Sequence, residues 1–282
     1  MNDAATDALY ADGVSLSYDQ RNVVAELSVT IPDNSFTVIV GPNACGKSTL
    51  LRGLSRMLKP RAGAVYLDGR AITSQPAKQV ARRLGLLAQS STAPDGITVA
   101  DLVSRGRYPH QHLLRQWSRD DETAVAEAMD ATRTTELADR AVDELSGGQR
   151  QRVWLAMVLA QQTPIMLLDE PTTFLDVAHQ VEVLDLCADL NARLGRTMVA
   201  VLHDLNQACR YASHMIAMRD GRIVARGTPG EIVTADLVSE VFGLDCRIIP
   251  DPETDTPLMV PCAPKTTPRP QDSRQASLPM PA

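Results

Sequence analysis

The chain has 282 residues, of which 44% are hydrophobic and 22% charged, which suffices for a globular core of one large domain or two lobes. Its formal net charge of −6 argues against nonspecific binding to nucleic acid, which depends on an excess of Lys and Arg. Five scattered cysteines without a CxxC pair exclude a disulfide framework and a zinc signature, and they suit a reducing cytosol.

The first 70 residues predict strands on both sides of one glycine-rich loop. Apolar residues alternate over 14–18, 27–31 and 65–67, a pattern typical of a sheet with one wet face. The continuous apolar run Phe36–Val40 indicates a fully buried strand. Leucines at helical spacing follow the loop, so the segment reads as strand, loop and helix.

Three later apolar runs, at 83–88, 165–168 and 197–202, also predict buried strands, and each ends at a polar side chain. In an open parallel sheet, ligands bind at the carboxyl ends of the strands. These strand ends therefore predict one site made from distant parts of the chain. The polar residues are Gln89, the pair Asp169 and Glu170, and His203.

The rest of the chain predicts helices and short hairpins. Residues 97–160 are helical in pattern and indicate a helical subdomain inserted into the α/β core. A hairpin near Asp220–Gly221 should point Ile223 and Ala225 the same way. A capping box begins at Thr228, and prolines multiply after residue 250.

The loop GPNACGKST has the spacing of a phosphate-binding P-loop. Its amides and the start of the following helix suit phosphate oxygens, the Lys47 ammonium suits the β- and γ-phosphates, and the Ser48 hydroxyl suits Mg²⁺. Cys45 is either a thiol made reactive by the helix N-terminus or a passive small residue, which we favour. The predicted nucleotide contacts are Gly41, Asn43, Ala44, Cys45, Gly46, Lys47, Ser48 and Thr49.

Each strand-end residue has an expected role beside this loop. Asp169 would serve Mg²⁺, and Glu170 would orient the attacking water. His203 would contact the γ-phosphate, and Gln89 would be a ligand of Mg²⁺ or water. Tyr18 would stack on adenine through its ring face.

The run LSGGQ predicts a second phosphate site, because Ser146 is a good helix N-cap and two glycines let amides approach an anion. One nucleotide has only one γ-phosphate, which the P-loop already holds. Residues Ser146, Gly147, Gly148 and Gln149 would therefore face the nucleotide of a second copy of the chain.

LSGGQRQR resembles the signature of ATP-binding cassette (ABC) proteins, and the order P-loop, Gln89, LSGGQ, LLDEPT, His203 resembles their ATPase subunits over roughly residues 12–250. The resemblance implies an α/β fold with a RecA-like P-loop core, a parallel sheet, an antiparallel β subdomain and the helical insertion. It also implies an ATP-sandwich dimer in which Asp176 crosses the interface. Residues 1–11 would be an extension, and 251–282 a Pro-rich tail, disordered at its end.

The stretches RLGLLAQ, RGRYPHQ, LDEPTTFLD and VLHDLNQACRYASH resemble ATPases of ferric-siderophore importers of the ferric-enterobactin type. This implies Mg²⁺ and ATP as cofactors and a peripheral place on the cytoplasmic face of the bacterial plasma membrane. Two membrane-spanning permease subunits would dock near 89–108, and a substrate-binding protein would act indirectly. Import of haem or vitamin B12, and a soluble non-transport ABC role, remain alternatives.

Four positions depart from the family or invite another interpretation. Ala44 stands where a third glycine is usual and would cost about 1 kcal/mol if its φ were positive. Phe174 replaces a small residue or Trp after the acidic pair. His110 and His112 fit a loop that faces the membrane subunits better than a metal site.

Overall fold

The computed structural model describes residues 8–19, 21–89, 92–111, 117–173 and 175–263. Within them, no helix combines the length and apolar character needed to cross a membrane. The elements in chain order are β1 (Leu9–Tyr18), β2 (Arg21–Ile31), β3 (Phe36–Val40), α1 (Lys47–Leu54), β4 (Ala62–Leu67), β5 (Arg70–Ala71), α2 (Ala77–Arg83), β6 (Leu84–Leu87), α3 (Val99–Ser104), α4 (Arg119–Ala131), α5 (Gly147–Ala160), β7 (Ile165–Asp169), α6 (Val177–Leu194), β8 (Thr197–Val201), α7 (Leu205–Tyr211), β9 (His214–Arg219), β10 (Arg222–Gly227), α8 (Pro229–Ile232), α9 (Ala235–Phe242), β11 (Cys246–Pro250) and β12 (Pro257–Pro261).

The predicted antiparallel sheet is present, with strand order β2-β1-β4-β5. Its inner face is made by the alternating apolar residues, among which Val14, Leu16 and Ile31 are fully buried. β1 already begins at Leu9, inside the range 1–11 that we expected to be an extension. Leu9 is itself buried against this core, because it continues the alternation of the strand.

The main sheet has the order β10-β9-β3-β8-β7-β6, in which β3, β6, β7, β8 and β9 run parallel. All five residues of β3, β7 and β8 are buried, as their continuous apolar sequence predicts. Val201 of β8 pairs with both Ile39 and Asp169. The carboxyl ends of these strands therefore meet at one edge.

Helices α3, α4 and α5 form the helical insertion and pack through buried apolar residues such as Val103, Val125 and Leu155. Arg107 links them to one another and is almost completely buried. Its Nε donates to Asp121 Oδ1 at 2.8 Å, and its Nη1 donates to the carbonyl of Ala160 at 2.7 Å. The guanidinium thus ties the start of α4 to the end of α5.

The C-terminal part differs from prediction in one side-chain direction. Ile223 packs with the core under the antiparallel sheet, whereas Ala225 packs on the other side of the main sheet. The expectation that both face the same way is wrong, because the pairing of β10 with β9 shifts register between them. The capping box of Thr228 and Glu231 is confirmed.

The chain remains folded beyond residue 250, where we expected the tail to begin. Strands β11 and β12 form a hairpin that reaches Pro261. Asn206 of α7 holds it, since its amide bonds both the N–H and the carbonyl of Met259, at 2.7 and 3.2 Å. The expected disordered end, like Phe174 and His112, lies outside the described residues.

Candidate functional site

A cleft of about 780 Å³ lies at the carboxyl edge of the main sheet, beside the P-loop and the hairpin of β1 and β2. It brings most of the P-loop together with Gln89, Glu170 and His203, as the sequence predicted, whereas Gly41, Cys45 and Asp169 are not among the described residues that line it. Its lining residues are Tyr18, Arg21, Asn22, Val23, Asn43, Ala44, Gly46, Lys47, Ser48, Thr49, Gln89, Glu170, His203, Asp220 and Gly221.

The P-loop backbone takes the left-handed conformations that let its amides turn inward. Gly41 has φ 151° and Gly46 has φ 105°, and a Cβ at Gly41 would collide with the carbonyl of Met218. Ala44 has φ 61°, so the usual glycine position does require a positive φ in this chain. Helix α1 starts at Lys47, directly after Gly46.

Lys47 lies folded against its own loop. Its Nζ donates to the carbonyls of Gly41 and Pro42 at 2.8 and 2.9 Å, and the residue is only 5% exposed. Burial lowers its pKa from the ordinary lysine value, although the nearby carboxylates oppose this. Two neutral carbonyls thus hold the ammonium at the loop. An anionic phosphate oxygen would be a stronger hydrogen-bond acceptor and would replace them.

Glu170 is held by three side-chain donors. Its Oε1 lies 2.8 Å from Nε2 of His203, and its Oε2 accepts hydrogen bonds from Gln89 at 2.6 Å and Thr173 at 3.0 Å. Burial alone would raise its pKa, but the bonds from His203 and Thr173 outweigh burial and lower it. Glu170 is therefore an ionised carboxylate in a fixed orientation. Thr173 was missed, because no sequence signal distinguishes it from an ordinary loop residue.

Asp169 is the last residue of β7 and is 3% exposed. Burial raises its pKa, while a hydrogen bond from Ser48 and the charge of Arg52 oppose that rise. Its Oδ1 is buried without a hydrogen-bond partner. A carboxylate oxygen with an open position beside a serine hydroxyl is a donor set that suits Mg²⁺.

One side of the cleft is formed by the β1–β2 hairpin. Tyr18 is 41% exposed, and its hydroxyl accepts a hydrogen bond from Nη1 of Arg52 at 3.0 Å. Its ring is therefore fixed at one end and available to stack. Arg21, Asn22 and Asp220 also line this side. The sequence analysis missed these residues, because only folding brings the β1–β2 turn and the β9–β10 turn to the P-loop.

The LSGGQ segment is a well-formed helix start at a different place. Ser146 caps α5 by accepting from the Gln149 amide, and the Gln149 side chain accepts from the Ser146 amide. Ser146 and Gly147 are exposed. None of Ser146–Gln149 is among the described residues that line the cleft.

Asp176 also lies outside the lining of the cleft. It caps α6, since its Oδ1 accepts from the amide of His179 at 3.0 Å. The same oxygen lies 2.8 Å from Nδ1 of His179, and these bonds lower the pKa of Asp176.

Residues 24–173 match the family model described as ABC transporter. This chain belongs to the ABC transporter family. It is 59% identical to the ferric enterobactin transport ATP-binding protein of Escherichia coli (strain K12), over 90% of this chain and 93% of that protein. It is 54% identical to a siderophore transport system ATP-binding protein of Bacillus subtilis (strain 168), over 90% and 92%.

Solved ABC structures share the fold. An inward-facing metal-chelate type ABC transporter superposes with a TM-score of 0.78 at 27% identity, covering 92% of this chain and 98% of that chain. A dimeric bacterial ABC transporter cassette superposes with a TM-score of 0.69 at 26% identity, covering 78% and 98%. The predicted fold class is thereby confirmed, and the chain is an ABC ATPase.

Two sequence alternatives can be placed on this ABC fold. Cys45 is 4% exposed, and burial raises its pKa above the ordinary value despite the charge of Lys47. A thiol with a raised pKa is a poor nucleophile, so the structure disfavours the reactive interpretation. His110 contacts the carbonyl of Gln161 through Nε2 at 2.8 Å, at the end of the helical insertion.

Proposed function

We propose that two copies of the chain bind ATP between the P-loop of one and the Ser146–Gln149 segment of the other, and hydrolyse it there. The observation that carries this proposal is the separation of two phosphate-binding segments, only one of which lines the cleft. Ser146 and Gly147 are exposed on another part of the surface, as a site completed by a partner requires. The solved cassette that resembles this chain is described as dimeric.

In this proposal Lys47 leaves its two backbone carbonyls and pairs with the β- and γ-phosphates. Glu170, ionised and oriented by His203, Gln89 and Thr173, holds the attacking water and accepts its proton. Ser48, Gln89 and Asp169 would hold Mg²⁺, with Asp169 acting through a water. When bound, Mg²⁺ neutralises charge on the phosphate oxygens. Tyr18 stacks on the adenine.

Closure of the dimer would transmit work to membrane subunits. ATP binds the closed state through contacts from both chains and the open state through one, so it biases the equilibrium toward closure. Loss of the γ-phosphate removes the bridge and permits opening. We place the permease contact at a cleft of about 680 Å³ on the helical insertion, lined by Asp101, Ser104, Arg105, Tyr108, Gln111 and Trp117. Tyr108 and Trp117 are exposed there, at 73% and 46%.

For the cargo we propose ferric siderophores, with the ATPase on the cytoplasmic face of the plasma membrane and a substrate-binding protein upstream. Support comes from the relatives: those named for enterobactin and achromobactin are 59% and 53% identical, whereas a hemin import ATP-binding protein of Rhodococcus jostii (strain RHA1) is 39% identical. Haem import is therefore the second candidate. Uptake of labelled ferric siderophores and of haem by cells carrying wild-type or Lys47→Ala protein decides between them.

The nucleotide site is tested by Lys47→Ala. We expect loss of ATP binding, measured by fluorescence titration of the purified chain, because the amide loop alone lacks the cation that neutralises the phosphates. Lys59→Ala is the matched control, since Lys59 is an exposed lysine just beyond α1. Tight ATP binding by a folded Lys47→Ala variant would refute the assignment of the loop.

A further inference from the structure

The imidazole of His179 lies between Asp176 and the LSGGQ segment of its own chain. Its Nδ1 is 2.8 Å from Asp176 Oδ1. Its Cδ2 occupies the space beside Gly148, where an added Cβ would lie 2.5 Å away. Gly148 is buried and second in α5, so only a residue without a Cβ permits the ring to rest there.

The imidazole is not needed to cap α6. The backbone amide of His179 already donates to Asp176 at 3.0 Å, which satisfies the helix N-terminus without any side chain at position 179. The ring therefore adds a second bond to a residue that is already capped. What the ring alone supplies is contact between Asp176 and Gly148.

Neighbouring residues of α6 tie this helix to the preceding loop, to α7 and to α5. The side-chain amide of Gln180 donates to the backbone carbonyl of Leu175 at 3.0 Å, and it accepts a hydrogen bond from the side chain of Gln207 at 2.8 Å. Gln207 belongs to α7, the helix that begins just after His203. One turn further along, Glu182 pairs with Arg152 of α5 at 2.8 Å. The two contacts between α6 and α5 thus recur one helical turn apart, at positions 148 and 152 of α5.

We propose that His179 is a positioning residue for ATP hydrolysis, which fixes the LSGGQ helix start relative to Asp176 so that both reach the partner chain's nucleotide in register. The inference rests on the proposed function, because Asp176 and Ser146–Gln149 act there across the dimer. Small misplacements of groups around a reacting phosphate cost large factors in rate. Because the imidazole contacts both Asp176 and Gly148, it restricts the movement of these two residues relative to each other in the single chain, before the dimer forms.

The activity test compares His179→Ala with wild-type in the full-length chain, at protein concentrations where turnover per chain no longer depends on concentration. We expect kcat to fall by about tenfold, with the Kd of ATP for the dilute monomer unchanged within about twofold, because the P-loop is untouched. Arg193→Ala is the matched control, since it removes an ion pair with Asp189 at the far end of α6. It should keep wild-type kcat.

Two further variants extend this test, and the first of them covers a failure of His179→Ala to fold. His179→Asn keeps an amide near the Nδ1 position but withdraws from Gly148, and we expect a loss in kcat of at least about fivefold. Independently of ATP, Gly148→Ala should lower Tm by several degrees through its collision with the ring, and adding His179→Ala should recover most of that loss.

The outcomes separate the two proposals. Wild-type kcat in a folded His179→Ala variant, while Lys47→Ala loses ATP binding, would overturn the role of His179 and leave the proposed function standing. Absence of any recovery of Tm in the double variant would also overturn it. A wild-type chain that neither binds nor hydrolyses ATP would overturn both.

Discussion

Glu170 occupies a constrained position in the cleft. Its φ is 55°, a left-handed value that costs a non-glycine residue about 1–2 kcal/mol, and three side chains bond its carboxylate. Strain of this kind persists where surrounding contacts determine it, and it clusters at functional sites. The bonds lower the pKa of Glu170, so the carboxylate is ionised throughout the neutral range.

Glu170→Gln should bind ATP but fail to hydrolyse it. An amide of the same shape cannot accept the proton of the attacking water, and we expect phosphate release in a single turnover to fall by at least about 100-fold. Gel filtration with ATP should show accumulated dimer. Glu127→Gln serves as the control, since Glu127 is exposed on α4 and distant in sequence from both the strand ends and Ser146–Gln149. Full activity in Glu170→Gln would contradict its role.

Ala44→Gly should stabilise the chain slightly. Relief of the left-handed strain at φ 61° is worth about 1 kcal/mol, and the added freedom of glycine in the unfolded chain takes back about half of it. We expect the free energy of unfolding in urea to rise by about 0.5 kcal/mol. Ala126→Gly, on the exposed face of α4, should instead lose about 1 kcal/mol. Equal losses in both variants would show that Ala44 carries no strain.

At the scale of elements, the sequence predicted where the parallel strands of the main sheet end. It did not predict the directions of the side chains along strand β10. Continuous apolar runs specify buried parallel strands, and the polar residue after each run marks its carboxyl end. The opposite facing of Ile223 and Ala225 arises from a register shift against β9. Such a shift depends on how two strands meet, and the alternation of one strand contains no sign of it.

The buried pair of Arg107 and Asp121 should be the main electrostatic support of the helical insertion. Burial would raise the pKa of Asp121, but hydrogen bonds from Arg107 and Ser118 and the charge of Arg107 outweigh it and lower it. Asp121→Asn leaves the Arg107 charge buried without its partner, and we expect a loss of about 3 kcal/mol in the free energy of unfolding at pH 7. The exposed ion pair of Asp189 and Arg193 provides the control. Asp189→Asn should lower the free energy of unfolding by about 0.5 kcal/mol or less.

The same pair has a defined pH dependence. Because the folded pKa of Asp121 lies below its unfolded value, its contribution is complete above the unfolded pKa and is lost as pH falls through the folded pKa. Acid should therefore destabilise wild-type more than Asp121→Asn, and the two urea midpoints should converge below about pH 4. A constant difference between them down to pH 2 would contradict the assignment.

At the scale of the whole molecule, the proposed two-chain site places the exposed LSGGQ helix start of one chain at the cleft of the other, and it predicts that a disulfide can form between two chains. Cysteines at Asn43 and Ser146, in a Glu170→Gln background with the exposed Cys262 changed to Ser, should form covalent dimers on oxidation with ATP present. Either cysteine alone should give none across this interface. Non-reducing electrophoresis measures the product. A crosslink that forms only within one chain would overturn the two-chain site.

A mixing experiment addresses the same arrangement through activity. Ser146→Arg alone should abolish hydrolysis, since a large cation would fill the partner's phosphate position. Mixed with Lys47→Ala, it should regain part of the activity, because one of the two sites in a mixed dimer would combine two intact halves.

The amino-acid sequence by itself determined the P-loop, the strand ends, the helix caps and the family, because these depend on local periodicity and on residue types with one dominant use. Ser146 and Thr228 cap helices as their spacing predicts. Only the tertiary structure decided that Thr173 holds Glu170, that Arg21 and Asp220 line the cleft, and that His179 rests on Gly148. The physical reason is that these contacts join segments whose approach depends on the packing of the whole core, and sequence spacing carries no measure of that approach.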